Sequence, residues 1–327
     1  MGLITPVGPG ITPGSGPGHL SLFGYDPLQF QIGRGVMEAL GIDLEVKEGD
    51  VAARGNFCTL DESGLVKDRR AGRIDSQSAA ALCQRLSSIR LDGGEVIVRP
   101  VKEHRFVILL RGEGLSPELT DSDPQQVGVA PREVSPLSTL RQAPSTGSGA
   151  ALSPSKGQRQ GVAGAVRTAA LANQFIARAR SLLNTSPSAN MVLLRGFSLL
   201  PHLPPMGEIY RIRPAAIAAY PMYRGLAKIV GMEVLPTGDT LEAELETLAE
   251  HYEKYDFFYV HFKKTDRMGE DGVITSIPDR IANHADRVEV LADLGQRRAV
   301  ADQGRRHVEL QPLGHQLRHG QELDPVA

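Results

Sequence analysis

Apolar and polar positions along the chain follow the spacings of both strands and helices. Runs rich in β-branched and other apolar residues predict strands over 46–51, 54–60, 95–101, 105–111, 191–194 and 215–219. Apolar residues at helical spacing predict helices over 76–86 and 241–255, and an Ala- and Arg-rich stretch predicts one over 165–183. The order in which strands and helices follow one another favours an α/β fold.

Two further stretches stand out from this pattern. The nearly continuous apolar run at 256–262 directly follows a predicted helix, and it predicts a central parallel strand that is buried on both faces. Residues 141–164 concentrate Ser, Gly, Pro and Gln, a composition that predicts a flexible loop.

Composition narrows the class of protein without choosing one. The 327 residues are enough for one large domain or two ordinary ones. Lys and Arg number 36 against 38 Asp and Glu, a near-neutral balance that argues against nucleic-acid and membrane-surface partners. The two cysteines make no disulfide framework, and no apolar run approaches the ~20 residues of a membrane span. A reducing cytoplasm is the simplest compartment.

A serine in a Gly- and Pro-rich loop is the first candidate for chemistry. Ser15 lies between Gly14 and Gly16, with Pro13 and Pro17 restricting the backbone on either side. Such a loop can present one hydroxyl rigidly near a helix N-terminus, where phosphate binds favourably. Ser15 is therefore a candidate nucleophile, and the alternative is an ordinary Gly/Pro loop.

Charged clusters give two more candidates. Residues 68–73 hold three arginines, which suit bidentate recognition of carboxylate and phosphate; the alternative is a solvated surface. Asp266 and Glu270 follow the predicted strand at 256–262, where an open α/β sheet places its ligands, and oxygen ligands suit Mn²⁺ or Mg²⁺. The alternative for these carboxylates is a solvated acidic turn.

A series of motifs in one order makes the chain similar to a known family. They are Gly8-Pro9-Gly10, Pro13-Gly14-Ser15, His19-Leu20, Phe23-Gly24-Tyr25-Asp26-Pro27, Gly33-Arg34-Gly35, Arg54-Gly55-Asn56-Phe57, Asp68-Arg69-Arg70-Ala71-Gly72-Arg73, Thr120-Asp121-Ser122-Asp123-Pro124, Leu194-Arg195-Gly196, Tyr220-Pro221-Met222-Tyr223-Arg224-Gly225 and His261-Phe262-Lys263-Lys264-Thr265-Asp266. Over about residues 2–272 the chain resembles the archaeal-type, cofactor-independent (2,3-bisphosphoglycerate-independent) phosphoglycerate mutases of the alkaline phosphatase superfamily.

The resemblance implies an architecture. It is an α/β fold in which an alkaline-phosphatase-like core sheet carries an inserted α/β lid domain. Residues 1–42 and 206–294 are expected to form the core, and residues 43–205 the inserted domain that clamps substrate. Residues 295–327, rich in Arg, Gln, His and Leu, are expected to be an atypical tail.

The resemblance also implies an activity and its residues. The family interconverts 3-phosphoglycerate and 2-phosphoglycerate through a phosphoserine, which matches Ser15, with two Mn²⁺ or Mg²⁺ ions and without 2,3-bisphosphoglycerate. The metal ligands implied in this chain are Ser15, Asp266 and Glu270. The substrate-binding residues implied are His19, Arg54, Arg69, Arg73, Arg195, Arg224 and Lys264.

The sequence departs from the family pattern in two places. The family carries an Asp-Gly element before the serine loop and a Gly-Asp-His element near its C-terminus, and neither occurs in this sequence. The expectation is a chain truncated at its N-terminus and divergent at its C-terminus, with impaired mutase activity. The alternatives are a related metal-dependent phosphohydrolase or phosphomutase, and a non-catalytic remnant.

Overall fold

The computed structural model of the protein describes residues 7–8, 14–137 and 156–263, arranged in two sheets with helices. The strands are β1 (Val51–Leu60), β2 (Val66–Asp68), β3 (Glu95–Lys102), β4 (Arg105–Arg111), β5 (Met191–Ser198), β6 (Pro214–Ala218), β7 (Glu233–Leu235) and β8 (Phe257–His261). The helices are α1 (Ser15–Leu22), α2 (Arg34–Gly41), α3 (Ser76–Leu86), α4 (Lys156–Leu183), α5 (Met206–Tyr210), α6 (Pro221–Ile229) and α7 (Leu241–His251). Short 3₁₀ helices cover Ala71–Arg73 and Tyr252–Lys254. No described helix is both long and apolar enough to cross a membrane.

The larger sheet is antiparallel and is built around β1. This strand pairs with β4, with β5 and, at its end, with β2, while β3 extends the sheet beyond β4. β3 and β4 form the hairpin predicted from their β-branched runs. The tight connection between them consists of Glu103 and His104.

Aromatic packing fixes one face of this sheet. The rings of Phe57 and Phe106 lie 4.8 Å apart between their centroids, and Phe175 of α4 packs against Phe106. All three side chains are fully buried. Gly55 makes room for them, because a Cβ at this position would lie 2.2 Å from the Phe106 ring. Helices α3 and α4 cover this face, whereas α2 packs against part of the opposite face, near Ala52.

The smaller sheet is parallel, with the strand order β7-β6-β8. Its central strand is β6, all five residues of which are buried. The predicted apolar strand at 256–262 does form, as β8, but the expectation of a central, doubly buried strand is wrong within the described residues. β8 pairs there with β6 alone, and each of its residues is half-buried.

Helix α2 lies between the large sheet and α6 and makes very close backbone contacts with both. A Cβ on Gly35 would lie 2.3 Å from the Ala52 carbonyl oxygen of β1. On the side facing α6, a Cβ on Gly225 would lie 1.8 Å from the Met37 carbonyl oxygen. Only glycine permits such approaches, so α2 is held between β1 and α6 with almost every residue buried.

Two predicted segments need correction. Residues 46–50 are not a strand; they form an irregular segment with a turn at Gly49, and a single strand begins at Val51. The predicted flexible loop at 141–164 is wrong at its C-terminal end, because α4 begins at Lys156. The rest of that loop lies outside the described residues.

Candidate active site

A cavity of about 570 Å³ opens where α1, α2 and the part of the large sheet that α2 leaves uncovered meet the segments that follow β6 and β8. Its described lining is strongly basic. Nine cationic side chains contribute: Arg34, Arg54, Arg69, Arg70, Arg73, Lys102, Arg105, Arg195 and Lys263. Three carboxylates accompany them: Glu103, Asp239 and Glu244. Low-dielectric walls of one sign attract ions of the opposite sign, so the cavity favours a multiply charged anion.

The register of the large sheet creates the centre of this basic surface. Arg54 of β1 lies opposite Arg195 of β5, and Asn56 of β1 lies opposite Arg105 of β4. Residues two apart on a strand, and residues directly opposite each other, share one face of a sheet. Three guanidinium groups therefore leave the sheet on the same side as Asn56.

A buried carboxylate compensates for part of this charge. Asp123, which is fully buried, accepts hydrogen bonds from Arg69 Nε (2.9 Å) and Nη2 (2.7 Å), and Arg195 Nη1 lies 3.4 Å from the same carboxylate. Burial alone would raise the pKa of this carboxyl, but the bonds from Arg69 and from the Gln125 backbone hold it below its ordinary value. Asp123 thus fixes two cavity arginines with one ionised group.

The arginine-rich stretch at 68–73 forms a left-handed turn. Ala71, Gly72 and Arg73 have φ angles of 49°, 66° and 55°, a region that residues with a Cβ rarely adopt. Asp68 stabilises the turn by accepting hydrogen bonds from the backbone of Arg70 and of Gly72. The turn brings Arg70 and Arg73 to the cavity together with Arg69.

Ser15 is the first residue of α1 and lines the cavity. Gly14 precedes it with extended backbone (φ −69°, ψ 171°) and caps the helix without a side-chain hydrogen bond. The first N–H groups of a helix lack partners within the helix and carry partial positive charge, so the Ser15 hydroxyl stands where a phosphoryl group is electrostatically favoured.

Behind Ser15 lies a group of aromatic rings. His19 Nδ1 lies 2.7 Å from the Ser15 carbonyl oxygen, and the His19 ring contacts Tyr223, Tyr259 and His261. Burial lowers the pKa of His19, and it lowers the pKa of His261 to about 4. Both imidazoles are therefore uncharged at neutral pH.

His104, in the turn between β3 and β4, is a third neutral imidazole and lines the cavity directly. It is 1 % exposed, and its Nδ1 has no hydrogen-bond partner among the described residues. Burial, followed by the charges of Arg105 and Arg54, lowers its pKa to about 3. An uncharged His104 adds a polar group to the wall without adding to its positive charge.

Of the ten residues that the sequence and the family resemblance single out, seven are among the described residues, and the structure brings five of these together. Ser15, Arg54, Arg69, Arg73 and Arg195 line one cavity.

The remaining candidates lie elsewhere. His19 is behind Ser15 rather than in the described lining. Arg224 is also outside that lining and pairs with Asp43, with Nη2 3.1 Å from Oδ2. Lys264, Asp266 and Glu270 lie outside the described residues.

Sequence reasoning missed several members of the site. Arg34, Arg105 and Lys263 line the cavity, although no role was predicted for them from the sequence. Arg34 belongs to one of the motifs that carry the family resemblance, and that motif could have indicated a role for it. Arg105 could not be found this way, because its place depends on its register opposite Asn56.

The described residues do not by themselves fit a two-metal centre. Within the part of the chain that the structure describes, no three His, Cys, Asp or Glu side chains are grouped to hold a metal ion. The His19 imidazole lies beside the Ser15 backbone, and its ring centroid is 5.9 Å from that of His261.

Comparisons with known proteins agree on one family. The family model described as 2,3-bisphosphoglycerate-independent phosphoglycerate mutase matches residues 1–189. A probable 2,3-bisphosphoglycerate-independent phosphoglycerate mutase of Thermosipho melanesiensis is 49% identical over 274 residues, which are 83% of this chain and 62% of that protein. A protein of the same description from Thermus thermophilus is 47% identical over 277 residues, with the same two shares.

Solved structures show the same likeness. A cofactor-independent phosphoglycerate mutase from Thermoplasma acidophilum is 27% identical, with a TM-score of 0.50 over 78% of this chain and 64% of that one. A Pyrococcus horikoshii protein at 22% identity, with a TM-score of 0.63 over 88% of this chain and 66% of that one, shares the fold. The chain spans about three fifths of the length of the curated relatives that it matches. On these matches, the chain belongs to the 2,3-bisphosphoglycerate-independent phosphoglycerate mutase family.

Proposed function

We propose that the protein interconverts 3-phosphoglycerate and 2-phosphoglycerate through a phosphoserine formed on Ser15. The observation that carries this proposal is one cavity in which a serine at a helix N-terminus faces nine cationic side chains. The substrate is a small trianion at neutral pH with a phosphate and a carboxylate, and such a wall can bind both groups. The names of the related proteins point to the same reaction.

The reaction needs two phosphoryl transfers on one bound glycerate. In the first, Ser15 Oγ attacks phosphorus, the bond from phosphorus to the 3-oxygen breaks, and that oxygen takes a proton while the serine loses one. In the second, the 2-hydroxyl attacks the phosphoserine, the serine oxygen leaves, and the protons move in the opposite sense. Positioning and charge stabilisation dominate this kind of chemistry, and the arginines supply both.

Glycerate must also be retained between the two transfers. Arginine binds a carboxylate bidentately through its planar fork of donors, so the arginines around Asp123 are suited to keep the glycerate carboxylate in place. The β3–β4 turn and the left-handed turn at 71–73 close the same cavity from the large sheet. The large sheet thus acts as the substrate-clamping part of the site.

The finer architecture belongs to the same proposal. The antiparallel sheet formed by β1 to β5 lies within residues 43–205, in keeping with an inserted lid domain. The parallel sheet of β6, β7 and β8 then belongs to an alkaline-phosphatase-like core. Two Mn²⁺ or Mg²⁺ ions, with Asp266 and Glu270 among their ligands, remain predictions from the resemblance, as does a cytoplasmic location.

The test is turnover together with capture of the intermediate. Wild-type protein with Mn²⁺ is incubated with 3-phosphoglycerate, 2-phosphoglycerate is followed by ³¹P NMR, and the quenched protein is digested and searched for phosphoserine. We expect the phosphate on Ser15 and no turnover in Ser15→Ala. Ser21→Ala, on the same helix but outside the described lining of the cavity, is the matched control and should behave as wild type.

Three results would contradict the proposal. Turnover by Ser15→Ala at the wild-type rate would remove the serine from the reaction. Release of inorganic phosphate without 2-phosphoglycerate would identify a phosphohydrolase. Binding of 3-phosphoglycerate with neither product nor phosphoserine would identify a non-catalytic remnant.

A further inference from the structure

Glu38 is a carboxylate buried directly behind the basic wall of the cavity. It lies on α2, is 0 % exposed, and neither of its oxygens has a hydrogen-bond partner among the described residues. Arg54 faces it, with Nη1 3.6 Å from Glu38 Oε1. A buried charge without hydrogen bonds is costly, so its place needs a reason.

Arg54, which faces Glu38, is likewise a buried charged side chain with an unsatisfied polar atom. It is 7 % exposed, and its Nε is buried without a hydrogen-bond partner in the described part of the chain. It also lies directly opposite another cation, Arg195, across the β1–β5 pair. Like charges at opposite positions of a sheet repel each other, so without a counter-charge Arg54 would be driven away from this position.

The charged and polar side chains around Glu38 come from several different elements of the fold. Arg34 lies on the same helix, Arg54 and Arg105 come from the large sheet, Lys263 follows β8, and Tyr220 precedes α6. Burial raises the pKa of Glu38, and the four cations oppose that rise. Of these cations, Arg54 is in ion-pair range of Glu38, and it is also buried.

The helix that carries Glu38 cannot shift easily. Gly35, three residues before it, brings α2 against β1, the strand of Arg54, and the α6 contact at Met37 holds the helix from the other side. The distance between the Glu38 and Arg54 backbones is therefore set by backbone packing. A carboxylate held in this way can fix the direction of the arginine that it faces.

We propose that Glu38 is a positioning residue, whose carboxylate holds the Arg54 guanidinium in the cavity wall so that it can bind the anionic substrate. This role rests on the proposed function, since the substrate is taken to be phosphoglycerate. Glu38 acts through Arg54 and does not touch the substrate. Positioning and simple charge balance predict opposite results, because removal of a negative charge would by itself strengthen the binding of an anion.

The test is a double-mutant cycle on anion affinity. Binding of 3-phosphoglycerate and of inorganic phosphate is measured by calorimetry for wild type, Glu38→Gln, Arg54→Gln and the double variant. We expect Glu38→Gln to weaken 3-phosphoglycerate binding about tenfold, as loss of one charged contact would. In the Arg54→Gln background the same change should add no further loss, because the residue through which Glu38 acts is already absent.

A matched control separates this role from a structural one. Asp50 is also buried (2 % exposed) and pairs with an arginine of the large sheet, Arg111, with contacts of 2.8 and 2.7 Å, but neither residue is in the described cavity lining. Asp50→Asn should lower the melting temperature and leave anion affinity at the wild-type value. Glu38→Asp keeps the negative charge, and its affinity for 3-phosphoglycerate should lie between those of wild type and Glu38→Gln. If Glu38→Gln does not fold, Glu38→Asp takes its place in the double-mutant cycle.

Several outcomes would overturn the proposal. Unchanged or tighter binding in Glu38→Gln would exclude positioning, and equal losses in both backgrounds would show that Glu38 acts independently of Arg54. In active protein, positioning also requires that KM rise more than kcat falls. If the wild type binds both anions but does not isomerise 3-phosphoglycerate, the proposed mutase activity is refuted and the positioning role of Glu38 is not. If the wild type binds neither anion, both proposals are refuted.

Discussion

Arg54 and Arg195 are cross-strand neighbours on β1 and β5, and both side chains line the same cavity. Each faces a different buried carboxylate, Glu38 and Asp123. The sheet thus keeps two like charges side by side, which repel each other unless a counter-charge is present. An anionic ligand between them relieves the same repulsion, so binding and the stability of the wall are coupled.

The first prediction separates an arginine in the cavity from one outside it. Arg195→Gln should raise KM for 3-phosphoglycerate about tenfold, because one charge-assisted contact is lost. Arg224→Gln should leave KM unchanged and cost less than about 1 kcal/mol of stability, because its partner Asp43 is 62% exposed and solvent screens the pair. Steady-state kinetics and urea unfolding of the two variants check this. A raised KM in Arg224→Gln would support the role that the family resemblance implies for that residue.

The second prediction concerns Asp123. Asp123→Asn should lower the free energy of unfolding by about 3 kcal/mol at neutral pH, since it leaves Arg69 without its buried partner. The folded-state pKa of Asp123 is lowered, so its contribution is present above the unfolded value of about 3.9 and is lost as pH falls through the folded value. The difference in free energy of unfolding between wild type and Asp123→Asn should therefore become smaller in acid.

Unfolding by urea at a series of pH values measures this gap. Asp92→Asn, at the exposed pair with Arg178, is the control and should cost less than about 1 kcal/mol at every pH. A gap for Asp123→Asn that stays constant through the unfolded pKa would show that the folded-state pKa of Asp123 is not lowered, and a gap that widens in acid would show that it is raised.

The third prediction concerns His104. Its folded-state pKa is about 3, whereas the unfolded chain takes up the proton near 6.5, so the stability of the wild type should fall as pH drops between these values. Between about pH 7 and about pH 5 the free energy of unfolding of the wild type should fall by about 2 kcal/mol more than that of His104→Gln. Chemical unfolding at the two pH values tests the difference. His202→Gln, at an exposed position, should keep the wild-type slope, and equal slopes for the wild type and His104→Gln would contradict the burial of a neutral imidazole.

The fourth prediction compares two helical glycines. Gly225→Ala would place a Cβ 1.8 Å from the Met37 carbonyl oxygen, and it should destabilise the protein by about 3 kcal/mol. Gly161→Ala, in α4, has no atom within 4 Å of the new Cβ and should stabilise the protein by about 0.5–1 kcal/mol. Thermal unfolding distinguishes the two. A tolerated alanine at Gly225 would mean that α2 and α6 are further apart than the structure places them.

Local patterns predicted the parts of the fold that depend on local sequence. The runs at 95–101 and 105–111 became the hairpin of β3 and β4, and the helical spacing at 76–86 became α3. The apolar run of β8 showed only that the segment could be buried, because its neighbours in the sheet are set by distant parts of the chain. The start of α4 at Lys156 was missed, because its first residues are polar and Gly-containing.

Some residues of the candidate site could likewise be predicted from the sequence, and others could not. The family resemblance singled out Ser15, Arg54 and Arg195, and the structure places all three on one cavity. The role of Glu38 could not be predicted, since a carboxylate in the middle of a short helix carries no signal of its own. Only the packing of α2 against β1 shows that it lies 3.6 Å from Arg54.

The glycine contacts of α2 also limit how a cavity of this kind can change its size. Gly35 and Gly41 place the backbone of α2 against the backbones of Ala52 and Pro221, so the helix cannot retreat from one neighbour without colliding with the other. Substitutions that enlarge the cavity will be tolerated where side chains, not backbones, form the wall. Glu103 and His104, in the turn between β3 and β4, line the cavity and are not part of these glycine contacts, so a substitution there can change the cavity without moving α2.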